Sequence, residues 1–224
     1  REVFRLSIDA DPHRATERIT NVIGSRDVLI KRFAFQCFWE RAELQKSPLL
    51  EMFLLDLNLV HRQQTQLIGR KQNMPLAGFY RSVIDRVLES GGQLVIDGIE
   101  LPVVLLENPK GTLRAALYGL GEVGKKGDVE AVLPFLSHQN TFIRRAAISA
   151  TAWLDLEEHV GAIIAKLADT SHRVSNDAAR TLIRNAHLIL EHEAELQSLP
   201  DSGHCRENVE FVLQSGADYR KAWG

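Results

Sequence analysis

The sequence predicts an all-α protein built as an α-solenoid, in which antiparallel helix pairs stack side by side. Segments that begin at Leu113, Ile143 and Val174 align with spacings of 30 and 31 residues. In the first two segments, small or apolar residues recur three, four and seven positions after the first, which is the pattern of one helix face. The third segment departs from this pattern at Asp177 and keeps Ala178. Because a single helix pair cannot bury its apolar face alone, neighbouring pairs are expected to stack.

A second helix in each repeat is predicted from an apolar stripe that follows a turn. Thr141 and Ser171 lie in the polar stretches between repeats and are expected to be helix N-caps. The stripe of the third repeat is looser than the other two. The three stripes consist of Val129, Val132, Leu133 and Leu136; of Val160, Ile163, Ile164 and Leu167; and of Leu188, Leu190, Leu196 and Leu199.

The repeats resemble a known family over residues 108–198. Each of the first two repeats opens with an aliphatic residue followed by Arg, as in Leu113-Arg114 and Ile143-Arg144. In the first repeat a Gly-rich turn and a second helix of the Leu-Pro-Phe-Leu kind follow. This pattern is similar to HEAT-like repeats of the phycobilisome-lyase type. The third repeat departs from the pattern at Val174-Ser175. The resemblance implies a helical-repeat fold, in which this Arg pairs with an acidic or carbonyl group of the next repeat, and activities that range from lyases and hydroxylases to adaptors.

The domain organisation follows from these repeats. Residues 1–110 are predicted to continue the same stack as an irregular helical half, residues 111–199 to hold the three repeats, and residues 200–224 to form a C-terminal cap. The cap is expected to contain a helix over residues 207–213. Asp97-Gly98, between β-branched runs, predicts a small hairpin at residues 93–101.

Four helical segments are predicted in the first 110 residues. An apolar stripe indicates the first, and Pro48 suits the start of the third. The second is dense in aromatic residues, and the fourth is expected to end before Gly91-Gly92. The first segment begins at Asp11-Pro12, and the second spans residues 27–44. The third follows Ser47-Pro48, and the fourth spans residues 76–88.

Charge and hydropathy exclude several classes of protein. The 224 residues contain 27 Lys and Arg against 29 Asp and Glu, a net charge of −2, which disfavours a nucleic-acid partner. The longest stretch without these four residue types is residues 131–143, too short to span a membrane. The first residues lack the apolar run of a secretory signal, and two cysteines make no disulfide framework. A cytoplasmic protein is expected, with Cys37 buried and reduced and Cys205 an exposed thiol.

One motif imitates a phosphate-binding loop. Residues 119–124 match G-x-G-x-x-G, and Lys125 extends the match towards a P-loop, although Lys126 stands where Ser or Thr is required. Both motifs need a preceding strand, whereas residues 114–118 have a helical pattern. We therefore interpret the glycines as the end of that helix and the following turn, and we predict no cofactor.

Catalytic and metal-binding patterns are also missing from the sequence. HEAT-like hydroxylases repeat His-Glu pairs to hold iron, but this chain has a single such step, His192-Glu193. His187 and His192 are about 140° apart on a helix and do not share a face. His204 and Cys205 are adjacent, which does not by itself make a catalytic dyad. No catalytic residue and no metal ligand is predicted.

The predicted binding residues are Arg145, Arg173, Arg180, Arg184 and Trp153, on the second and third repeats. Such a basic run suits an acidic partner or phosphate. An ordinary solvated helix face is the competing interpretation for the arginines, and a core position is the competing interpretation for Trp153.

The predicted function is that of a non-catalytic protein-interaction scaffold, which grips a partner protein on a concave face made by the second helices. One alternative is a HEAT-like protein that binds nucleic acid or repairs DNA. A second alternative, implied by the resemblance alone, is a bilin-lyase-like enzyme. The sequence predicts neither the identity of the partner nor the oligomeric state.

Overall fold

A computed structural model of the chain describes residues 14–23, 34, 76–89 and 109–223. Of this described part, 88% is helical and none is strand, which confirms the all-α class there. The chain divides into two compact units, Arg1–Gly119 and Leu120–Gly224. The helices are α1 (Ala15–Ile23), α2 (Leu76–Glu89), α3 (Pro109–Val123), α4 (Thr141–Ile164), α5 (His172–Arg184), α6 (Glu193–Gln197) and α7 (Gly203–Trp223), with short 3₁₀ helices at Lys126–Ala131, Leu133–Ser137, Ala165–Ala168 and Ala186–Glu191.

In the first unit, α1 and α2 lie where the sequence predicts the first and fourth helical segments. Their apolar stripes are buried at Ile19, Val83 and Ile84. Tyr80 is also fully buried, and its ring occupies the space that a side chain at Gly119 would need. The predicted hairpin at residues 93–101 lies outside the described residues. So do the two other predicted helical segments, except for Ala34, which is helical and buried.

The second repeat has two helical segments joined by a kink, in agreement with the predicted helix–turn–helix pattern, and α4 includes both segments. The backbone of α4 is extended at Asp155 (φ −162°, ψ 75°) and leaves the helical region again at His159. The predicted turn therefore falls at the kink. On its far side Val160, Ile163 and Ile164 are buried, as the apolar stripe predicts.

The first repeat has no second α-helix, contrary to the prediction. Two 3₁₀ helices, Lys126–Ala131 and Leu133–Ser137, take its place. Pro134 supplies no backbone N–H to a continuous helix, and it disfavours the helical conformation of the residue before it. The stripe is nevertheless mostly buried, since Val129, Val132 and Leu136 are at most 4% exposed.

The third repeat is irregular beyond its first helix. α5 is followed by a 3₁₀ helix and the short α6, where Ile189 and Leu196 are the buried residues and Leu188, Leu190 and Leu199 are half-buried. The helix expected over residues 207–213 is part of α7, which is 21 residues long and extends well beyond these bounds. α7 packs against α5 and the 3₁₀ helix Ala186–Glu191.

One of the two predicted helix N-caps, Ser171, is confirmed, and the other is displaced by one residue. Asn140, not Thr141, is the N-cap of α4, and its side chain accepts a hydrogen bond from the N–H of Phe142 at 2.9 Å. Ser171 is the N-cap of α5, but its hydroxyl makes no capping bond. Oδ1 of Asp169 accepts the N–H of Ser171 at 2.8 Å and so fixes the N-cap residue itself.

A buried polar cluster joins the second repeat to the third. The guanidinium of Arg144 donates two bonds to the carboxylate of Asp169, at 2.8 and 2.7 Å, and two to the carbonyls of His138 and Gln139. Ser175 donates to the carbonyl of Leu167 and accepts from Asn208 of α7. We call Arg144, Asp169, Ser175 and Asn208 the repeat junction. The predicted pairing of the repeat arginine is confirmed at Arg144.

Three alanines, one from the first helix of each repeat, are all helical and fully buried. They are Ala116, Ala147 and Ala178. Close approach between helices is also visible at Gly121, where a Cβ atom would lie 2.8 Å from the Cα of Ala150. None of the helices in residues 14–23, 76–89 and 109–223 combines the length and apolar character needed to cross a bilayer.

Candidate binding surface on α4 and α5

Three of the predicted binding residues form a stripe along α5. Arg173, Arg180 and Arg184 are spaced i, i+7 and i+11, so they fall within about 40° of helix rotation and about 16 Å of helix length. All three are exposed, while Val174 and Leu182 are buried on the same helix. Within the described part of the chain, none of the three arginines has a hydrogen bond or ion pair. We call them the α5 stripe.

The fourth predicted arginine has a different role. Arg145 of α4 donates from Nε to the Oδ2 of Asp177 at 2.6 Å, and both side chains are partly exposed. Asp177 is four residues after Arg173 and three before Arg180, so it is the acidic group nearest the stripe along α5. Because Arg145 occupies its carboxylate, Asp177 offers the stripe arginines little compensation.

Trp153 is exposed, so the interpretation as a core residue is wrong. Its side chain is 51% exposed, although one edge of the indole covers Gly121, where a Cβ atom would lie 2.8 Å from Cε3. The absence of a side chain at Gly121 leaves room for this edge of the indole, while about half of the side chain is exposed to solvent. Trp153 lies 8 residues after Arg145 on α4, which places both on similar sides of the helix.

A groove of about 350 Å³ opens beside Trp153 at the kink of α4. Lys126, Asp155 and Glu157 supply its charged groups, and Asn185 and His187 approach from the end of α5. The ammonium of Lys126 lies 3.2 Å from Asp155, whose side chain is only 8% exposed, and 3.8 Å from Glu158. The hydrogen bond that Lys126 donates to Asp155 and the charges of the neighbouring carboxylates raise the pKa of Lys126. We call this cavity the kink groove.

The glycine-rich motif has a structural explanation. Gly119 and Gly121 belong to α3, and the residues before them are helical, as the sequence pattern predicts. Gly124 follows the helix, and a Cβ atom there would lie 2.5 Å from the carbonyl oxygen of Leu120. Asp128, a residue that the sequence did not single out, accepts the N–H of Lys125 at 2.7 Å and closes the turn. The glycines of the motif therefore allow close packing in α3 and in the turn that follows it.

The residues considered for catalysis and metal binding have local structural partners. His192 lies 2.9 Å from Glu195, and Nε2 of His204 lies 2.9 Å from the carbonyl oxygen of Asp169. Cys205 is buried, so its predicted exposure is wrong, and burial raises the pKa of its thiol. Among residues 14–23, 34, 76–89 and 109–223, no three His, Cys, Asp or Glu side chains are placed to hold a metal ion.

The structure places the predicted binding residues on the first helices of the second and third repeats. The sequence argument had assigned partner binding to the second helices, so the residues and the predicted face do not coincide. It noted Asp169, Asp177 and Asp155 as acidic residues interspersed with the arginines, but it did not predict their pairing with Arg144, Arg145 and Lys126. The first two follow Arg144 by 25 residues and Arg145 by 32, close to the repeat spacing, which is the signal that could have revealed them.

Comparison with known proteins adds no relationship to these observations. No protein-family model, no curated protein and no solved structure matches the chain. The HEAT-like resemblance therefore stays a prediction.

Proposed function

We propose that this protein is a non-catalytic interaction scaffold that binds an acidic segment of a partner protein along the α5 stripe. The observation that carries the proposal is a set of three exposed arginines with no partner in residues 109–223. Like charges at i and i+4, as in Arg180 and Arg184, destabilise a helix by about 0.2–0.5 kcal/mol. Because the repulsion between Arg180 and Arg184 lowers the stability of the isolated chain, an anionic partner that neutralises their charge would be bound favourably.

The position of Asp177, the acidic residue nearest the α5 stripe along the helix, also supports binding of an acidic segment. An ordinary solvated face intersperses both signs of charge, and Asp177 is the acidic residue within the stripe. Its carboxylate is held at 2.6 Å by Arg145 from the neighbouring helix. The stripe thus presents three positive charges over about 16 Å, a length that suits several acidic side chains of one extended or helical segment.

The proposed architecture is a solenoid-like stack in the second unit. Its support is the contact between Arg145 and Asp177, 32 residues apart, and the close approach of Gly121 to Ala150 on consecutive first helices. Such a stack displays side chains of successive helices as one continuous surface. We also propose a cytoplasmic location, which suits a buried, unpaired thiol at Cys205.

Nucleic-acid binding is a second candidate, because the same three arginines could contact phosphates and the exposed Trp153 could stack on a base. The net charge of −2 favours a protein partner. The bilin-lyase alternative remains a prediction from the resemblance.

The test compares ligand classes on the full chain. Fluorescence anisotropy would measure binding of a labelled 12-residue Asp/Glu-rich peptide and of a 12-base-pair DNA duplex at 50 and 200 mM salt. We expect the peptide to bind more tightly than the duplex at both concentrations. Tighter duplex binding that weakens steeply with salt would instead support nucleic-acid recognition.

Matched charge variants locate the binding surface. R173Q/R180Q/R184Q and K125Q/R220Q/K221Q each remove three positive charges, but only the first alters the stripe. We expect the stripe variant to weaken peptide binding about 10-fold or more, at roughly 0.2–1 kcal/mol for each exposed ion pair lost. Equal losses in both variants would show that binding follows net charge and would contradict the proposal.

A further inference from the structure

The kink groove has the features of a small recognition site separate from the α5 stripe. Trp153 forms one wall and remains 51% exposed. Asp155 contributes a carboxylate on a side chain that is only 8% exposed, and Glu157 contributes a second, solvent-exposed carboxylate. None of the three stripe arginines lines the groove.

The charges at the groove favour a cation. Asp155, Glu157 and the adjacent Glu158 supply three carboxylates, and Lys126 supplies one ammonium. That ammonium lies 3.2 Å from Asp155 and 3.8 Å from Glu158, so this corner of the molecule already holds one positive group. Glu157 makes no ion pair within the described residues, although its charge acts on Lys126 at longer range. The three carboxylates exceed the single ammonium by two negative charges, so the groove stays negative and favours a second cation.

Two helix ends add to this preference. α5 ends at Arg184, and Asn185, which follows it, lines the groove. The first segment of α4 ends at Asp155, where the backbone becomes extended. The carboxyl end of a helix carries partial negative charge from carbonyl groups that lack a partner within the helix, and this charge favours a nearby cation.

We propose that the kink groove binds a lysine or arginine side chain of a partner protein, with the cation over the indole of Trp153 and its charge facing Glu157. A cation over a tryptophan ring is attracted by the negative face of the ring. The proposal goes beyond the binding of an acidic segment, because it uses different residues and the opposite charge. Together the two sites would fix the direction of a bound segment, with acidic residues along α5 and a basic residue at the helix end.

The experiment follows the indole N–H signal of Trp153 in the full ¹⁵N-labelled chain by NMR, with the signal assigned through W153F. The probes are the N-acetyl methylamides of arginine, of its neutral isostere citrulline, and of glutamate. We expect a saturable shift with the arginine probe, at a dissociation constant on the order of millimolar, and no shift with citrulline or glutamate. A comparable shift with citrulline or glutamate would overturn the proposal.

Two exposed carboxylates provide matched variants for this titration. E157Q removes the proposed charge partner, whereas E191Q removes an exposed carboxylate outside the groove. We expect E157Q to weaken arginine binding roughly three-fold, in line with one exposed charge pair, and E191Q to leave it unchanged. Unchanged binding in E157Q would overturn the proposal. R173Q/R180Q/R184Q should retain the arginine response, so failure of stripe binding and failure of the groove remain distinguishable.

Discussion

Arg144 at the repeat junction and the arginines of the α5 stripe carry the same charge in the same unit, but their surroundings differ in every respect. Arg144 is 9% exposed and has acceptors on Asp169, His138 and Gln139. The stripe arginines are exposed and have no partner in the described residues. The comparison separates arginines that hold the repeats together from arginines that the fold leaves available for a partner.

The largest effect is expected at the junction. D169A would leave the buried guanidinium of Arg144 without its bidentate partner, and we expect a loss of about 3–5 kcal/mol in the free energy of unfolding. Urea denaturation followed by circular dichroism measures this loss. R173A, on the stripe, serves as the control and should change stability by less than about 0.5 kcal/mol. Similar values for the two variants would remove the distinction between the two sets of arginines.

A second test concerns the close approach between the first helices. A Cβ atom at Gly121 would lie 2.8 Å from both Ala150 and Trp153, whereas one at Gly127 would have no neighbour within 4 Å. We expect G121A to lose about 1–2 kcal/mol, since overpacking exceeds the gain in helix propensity. G127A should stay within about 0.5 kcal/mol of the parent. A thermal denaturation series compares the two, and a neutral G121A would contradict the close helix contact.

Hydroxyl groups within the second unit extend the comparison to uncharged residues. Thr151 is fully buried, and its hydroxyl has no hydrogen-bond partner among the described residues. Ser175 is equally buried but bonds to Leu167 and Asn208. We expect T151V to stabilise the protein by about 1 kcal/mol and S175A to destabilise it by about 1–2 kcal/mol. If chemical denaturation shows that both variants change the free energy of unfolding in the same direction, the presence of a hydrogen-bond partner does not determine the effect of removing these hydroxyl groups.

How much the sequence revealed depends on the kind of interaction. Apolar periodicity predicted α1, α2 and the buried stripes at Val129 and Val160, because helix faces are local patterns. A turn was predicted in the second repeat, but its position at Asp155 was not. The 3₁₀ helices around Pro134 were not predicted either, since most residues of the stripe that they replace remain buried. The stripe arginines and Trp153 were identified as binding residues from type and position alone.

Side-chain contacts between residues that are far apart in the sequence could not be predicted. Arg145 appeared equivalent to the stripe arginines until the structure placed Asp177 against it. Trp153 was predicted as a binding residue with a core position as the competing interpretation, and the structure places it half exposed with one edge of the indole against Gly121 of the preceding helix. Cys205 lies near the end of the sequence but is buried, because α7 packs against α5. Each correction involves a contact between helices, which periodicity within one helix does not report.

The most direct test of the central claim measures stability and peptide affinity on the same preparations of R173Q/R180Q/R184Q. If the α5 stripe serves binding and not the fold, the variant should have the same free energy of unfolding as the parent, or one higher by a few tenths of a kcal/mol because like-charge repulsion is removed. It should also bind the acidic peptide about 10-fold more weakly. A variant that unfolds more easily by about 1 kcal/mol or more while it binds the peptide as the parent does would show that these arginines serve the fold, and would contradict the account.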